Sequence, residues 1–202
     1  MKAIVSLCLG LQLAVFSAHA AVPTVQTAAP AATAAVPAAQ EKTLDEIARM
    51  ATIMIDGDVC QRIVTPRALA HMLHPDPRDE WQAGDNYDVN DQAFIQTKKT
   101  LIRLAMIAPY PVDVNLWMPV PTTQDIQVVI RNKYNLTQFW NGDLQQALPA
   151  PMQQVLKTGN RVTVTDKPGM ISVLAPVRNS LGEIIGLVEV ASSATPPEHD
   201  ER

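Results

Sequence analysis

Residues 169–193 read Gly-Met-Ile-Ser-Val-Leu-Ala-Pro-Val, then Arg-Asn-Ser-Leu-Gly, then Glu-Ile-Ile-Gly-Leu-Val-Glu-Val-Ala-Ser-Ser. Two apolar runs rich in β-branched residues flank five polar, turn-forming ones, which is the signature of a hairpin. Strands joined this tightly must pair antiparallel. No other part of the chain constrains the fold so strongly.

Upstream, the chain divides by composition. Residues 1–20 carry Lys2, an apolar stretch from Ile4 to Phe16 and a small-x-small end at Ala18-His-Ala20. That is the pattern of a secretory signal peptide, with an uncleaved N-terminal anchor as the alternative. Residues 21–41 are almost wholly Ala, Pro, Thr and Val, and read as an extended linker. The expected folded domain is residues 42–195, enough for one proper core, with a polar tail at 196–202. This places the domain in the periplasm or outside the cell. The formal net charge of −4, without a basic cluster, argues against nucleic acid as a partner. Beyond the leader only Cys60 remains, so no internal disulfide can form. Its neighbours Val59 and Ile63 point to burial rather than to pairing between chains.

Periodicity supplies the elements. Thr43-Leu-Asp-Glu46 has the form of a capping box. Leu44, Ile47, Ala51, Met54, Ile55 and Val59 then recur at helical spacing as far as about residue 64, with a weak point at Asp56-Gly57-Asp58. Thr65-Pro66 restarts a short helix that ends before Pro75. A third helix follows Asn90, with Phe94, Thr97, Leu101 and Leu104 inside, and Lys98 laying its stem on the apolar face with its ammonium in water. Strands are expected at 114–120, 125–132 and 161–165, with a mixed helical stretch at 136–148 and a short helix from Pro151 to Gly159. Helices, two strands, helices and three strands give an α+β fold: an antiparallel sheet with helices on one side.

This order of elements resembles the single Cache family of PAS-like extracytoplasmic sensor domains. The residues that carry the resemblance are the helix from Thr43, Leu116-Trp-Met-Pro-Val120 and Ile126-Gln-Val-Val-Ile-Arg131. They are joined by Ser172-Val-Leu-Ala-Pro-Val177 with Gly182-Glu-Ile-Ile-Gly186. The resemblance implies a five-stranded sheet backed by the long N-terminal helix, and a pocket for a small metabolite between the sheet and the helical insert. It implies ligands such as organic acids or amino acids. Family members usually carry a membrane and output module. After residue 195 only a polar tail follows, so signalling is expected to pass to a separate membrane receptor or signalling partner.

The candidate ligand-binding residues are Trp117, Arg131, Tyr134, Gln138, Trp140 and Ser172, with Arg178 as a further candidate. Strict alternation puts Asn115, Trp117 and Pro119 on one face, and Gln127, Val129 and Arg131 on one face of the next strand. Arg131 is then either a solvated surface group or a planar fork over the pocket mouth that clamps a carboxylate. Gln138, Phe139 and Trp140 either wall a ligand or simply cover the sheet. His71 and His74 are two imidazoles three residues apart, which do not complete a metal site. No nucleophile elbow, phosphate loop or zinc-protease motif occurs, so neither enzyme activity nor a cofactor is expected. The alternative is a periplasmic interaction or assembly module, a homodimer joined through its N-terminal helix and binding no ligand.

Overall fold

A computed structural model describes residues 38–74, 91–132 and 145–193. Helix α1 (Ala38–Met54) turns Leu44, Ile47, Ala48 and Ala51 inward, all fully buried. It starts earlier than its apparent cap. The Thr43 hydroxyl lies inside the helix and donates back to the Ala39 carbonyl at 2.9 Å, the local bond that Ser and Thr make in mid-helix. Residues 38–41, expected in the linker, are therefore helical, and Gln40 is buried.

The weak point at residues 56–58 is a real break. Asp56 is extended, and its carboxylate accepts from Asp58 N and Val59 N at 2.9 and 3.2 Å, capping the single turn α2 (Gly57–Cys60). Gly57 is required by contact: a Cβ there would lie 2.2 Å from the Arg178 carbonyl oxygen. Thr65 caps α3 (Pro66–Leu73), accepting from Ala68 N at 3.2 Å, with Pro66 in the first turn. In α4 (Asp91–Ala105), Phe94, Thr97, Leu101 and Leu104 are buried.

Lys98 departs from expectation. It is only 4% exposed, and its ammonium donates to the Arg131 carbonyl instead of reaching water. Burial lowers its pKa from the ordinary 10.5. Cys60 is buried as expected, its Sγ 4.0 Å from Thr97 Oγ1. Burial pushes the thiol pKa up to about 12, against a smaller opposing effect of the Thr97 contact. Such a thiol is inert at neutral pH.

The α+β class is as expected, but the antiparallel sheet has six strands where five were expected. They are β1 (Asp113–Pro119), β2 (Asp125–Arg131), β3 (Gln145–Ala147), β4 (Val162–Val164), β5 (Met170–Arg178) and β6 (Ile184–Ser193). The spatial order is β3-β2-β1-β6-β5-β4, so β1 and β6 are central. The extra strand, β3, pairs with β2 through Asp125–Ala147 and Gln127–Gln145, within the stretch expected to be helical. The closing hairpin forms as read, with Ser172 opposite Ala191 and Leu174 opposite Glu189.

Helices lie on both faces rather than one. On the first face, α1 to α4 pack on Val114, Leu116, Ile130, Val173, Ala175, Val177, Val188 and Val190. On the second, α5 (Ala150–Thr158) sets Met152 and Val155 against Ile126, Leu174 and Leu187. Helix α5 stops at Gly159, whose φ of 70° is left-handed and whose N–H bonds Val155 O at 2.8 Å. This second-face helix creates the cleft described next. Among the described residues, no helix is long and apolar enough to cross a membrane.

Candidate functional site

Strand alternation decides which side chains share the α5 face, and one irregularity changes the answer. Leu116 pairs with Ile130 but Trp117 pairs with Val128, so Val129 is an extra residue in β2. A bulge of this kind shifts every later residue to the opposite face. Ile130 accordingly joins the helix-side core with Val129, and Arg131 falls opposite Asn115 on the α5 face. The expected grouping of Gln127, Val129 and Arg131 on one face does not hold.

Pairing then places a row across the α5 face: Arg131 on β2, Asn115 on β1, Glu189 on β6 and Leu174 on β5. Trp117 stands one step along β1, beside Leu187 and Val128. The polar members are bonded together. Glu189 Oε2 accepts from Trp117 Nε1 at 2.9 Å and from Asn115 Nδ2 at 3.2 Å. Asn115 Oδ1 is buried and has no hydrogen-bond partner among the described residues.

Between this surface and the start of α5 lies a cleft of about 200 Å³. Its floor includes Trp117, Ser172, Leu174 and Glu189, and Met152 of α5 forms a wall. Asp166 and Lys167, from the β4–β5 turn, also line it. The volume is below the roughly 300 Å³ at which drug-sized pockets begin, so it suits a small metabolite.

The structure brings together two of the six expected ligand residues here, Trp117 and Ser172. Arg131 shares the face but is exposed and does not line the cleft. Tyr134, Gln138 and Trp140 lie outside the described residues. Arg178 serves the hairpin turn, donating from Nη1 to Gly182 O at 2.8 Å. Glu189 and Asn115 were missed by sequence reasoning. The available signal was that Glu189 is the single charged residue within β6, in an otherwise apolar run.

A second groove of about 440 Å³ lies on the helix side, between Leu69 of α3 and the ends of β1, β2 and β6. Gln127 lines it, and its buried Oε1 has no partner among the described residues. No cluster of metal-ligating side chains occurs among the described residues.

No family model matches the chain, and no curated protein matches it significantly. Solved structures give distant likenesses. The sensory domain of the Campylobacter jejuni chemoreceptor Tlp3, with isoleucine bound, is 13% identical at a TM-score of 0.36, covering 77% of this chain and 60% of that one. The ligand-binding domain of the Pseudomonas aeruginosa amino-acid chemoreceptor PctC, in complex with GABA, is 14% identical at 0.31, covering 77% and 64%. A GAF domain/HD domain protein from Geobacter sulfurreducens is 11% identical at 0.35, covering 55% and 80%. At TM-scores this low the likenesses carry no argument about ligand or partner. The architecture itself, an antiparallel α+β sheet with the long helix behind it, is consistent with a PAS/Cache-like fold.

Proposed function

We propose that this chain is an exported, Cache-like domain that binds a small metabolite and passes its state to a separate membrane partner. The observation that supports it best is the cleft itself. A carboxylate, an indole and a serine from three adjacent strands converge under one short helix. Concave, mostly apolar sites with a few convergent polar groups are what small ligands need. Trp117 and Ser172 are the proposed contacts from the expected set, with Arg131 at the far end of the same row.

The route outward follows from packing. Strands β5 and β6 carry the cleft on one face and bury α1 against the other. A ligand that draws α5 onto the sheet displaces strands that α1 also contacts. It acts only through different affinities for the two arrangements.

Thermal shift of the purified chain against organic acids, amino acids and amines tests the reading. A ligand at a hundred times its Kd adds about 2.7 kcal/mol, which raises Tm by several degrees. If no member of the panel shifts Tm, the reading is lost. For export, the mature chain is expected in the periplasmic or secreted fraction with residues 1–20 removed. The alternative, a helix-joined dimer, gains little support from α1. Its outer face carries Glu41, Lys42, Glu46 and Arg49, and among its exposed large apolar residues are Ile53 and Met54 of the last turn. Light scattering at micromolar concentration decides that point.

A further inference from the structure

Resting on the proposal that the α5 cleft binds a small molecule, we infer that its ligand carries a protonated amine, held by Glu189. Both donors that reach this carboxylate converge on one oxygen, Oε2. No hydrogen bond from a described residue reaches Oε1, and Glu189 lines the cleft. The partners it does have, an indole N–H and an amide, are neutral. Among the described residues, no ion pair joins Glu189 to Lys167, which lines the cleft, or to Arg131, which lies opposite Asn115. A partly buried carboxylate that meets no cation among the described residues is costly to keep desolvated. An ammonium in the cleft supplies both the missing charge and the donors for Oε1.

The amide of Asn115 points the same way. Its orientation spends Nδ2 on Glu189 and leaves Oδ1 buried without a partner among the described residues. An unpaired buried acceptor is rare enough to need a reason. Holding Oε2 fixed, so that Oε1 is presented to the cleft, is such a reason. The rest of the cleft completes the class. Trp117, Met152 and Leu174 offer apolar surface to a short hydrocarbon body, while Asp166 adds a second carboxylate at the β4–β5 turn. With two carboxylates against the single Lys167, the lining disfavours simple organic acids.

Isothermal titration of the full chain with matched probes tests this at neutral pH. Pentylamine and 5-aminopentanoate are expected to bind, with pentanoate and glutarate far weaker. Glu189→Gln keeps the shape and the acceptor for Trp117 and Asn115, and is expected to weaken the amine probes roughly tenfold or more, as loss of a charge-assisted hydrogen bond should. Should that variant not fold, trimethylpentylammonium on the native chain serves instead. It keeps the charge but lacks N–H donors, and is expected to bind more weakly than pentylamine. Tight binding of the acids with inert amines overturns the inference and leaves the small-molecule reading standing. Unchanged amine affinity in Glu189→Gln, or equal binding of the two ammonium probes, also overturns it. If no probe of either kind binds while the thermal-shift panel yields a ligand without an amine, the inference falls alone; only a panel without any hit removes the small-molecule reading as well.

Discussion

The two faces of the sheet are built for different tasks. On the helix side, α1 to α4 bury a continuous apolar layer that includes Leu44, Ile47, Leu101, Leu104 and Leu116, none of them exposed. On the α5 side, one short helix covers a smaller cluster that includes Ile126, Leu174 and Leu187, and next to them a carboxylate lines an open cleft. The same strands supply both layers. One face therefore carries most of the apolar core, with the Gln127 groove at its edge, while the other sets a carboxylate and an open cleft over a much smaller apolar layer. Closely packed interiors resist such gaps, so the large layer is what allows the smaller one to be incomplete.

The contrast is sharpest in truncations. Leu116→Ala, in the helix-side layer, is expected to cost about 4 kcal/mol, because its neighbours cannot close the cavity. Met152→Ala, on the cleft wall, is expected to cost about 2 kcal/mol, because water can enter beside it. Urea denaturation of both variants measures the difference. Equal losses would mean that the faces are energetically alike.

A second test uses pH and acts on the helix side alone. The Cys60 thiol has an ordinary pKa of 9.0 when unfolded and about 12 when folded. A raised acid pKa means that its stabilising contribution is whole below pH 9 and is lost as pH rises from 9 towards 12. Native chain should lose stability across that window more steeply than Cys60→Ala. Parallel stability-versus-pH curves would show that the site is wetter than described.

The smallest effect lies at the rim that joins the two layers. Arg161, just before β4, donates from Nε and Nη2 to the Asp45 carboxylate of α1 at 2.8 and 3.1 Å. That pairing raises the Arg161 pKa. Both side chains are more than a third exposed, so Arg161→Ala should cost under about 1 kcal/mol and less at high salt. A larger loss in thermal melts would make this rim part of the core.

Much of the fold was legible because periodicity and capping agree. The α3 start at Thr65-Pro66, the α5 stop at Gly159 and the closing hairpin all follow from local chemistry. Strand β3 was not, because Gln-Gln-Ala has no alternation to read and owes its form to pairing with β2. Thr43 misleads because a helix-internal hydroxyl and a capping hydroxyl look identical in one dimension. The site was half legible for a similar reason. Alternation placed Trp117 correctly but failed past the Val129 bulge, which depends on register with β1 rather than on any residue type. Glu189 reads as an ordinary outward polar residue until three strands are laid side by side.

The hydrogen bonds that tie Gln40 to the end of β6 have a topological consequence. Gln40 Nε2 donates to Ser193 O at 2.5 Å and to Ser192 Oγ at 3.3 Å, and Ser192 Oγ in turn donates to Pro111 O at 3.0 Å. The first turn of α1 and the last residue of β6 are thus neighbours, and the backbone between them forms a nearly closed ring. A short bridge from residue 193 to residue 38 would make the ring covalent. The chain could then be reopened at the exposed 179–182 turn with the sheet order kept, or the whole unit spliced into a surface loop of a host protein.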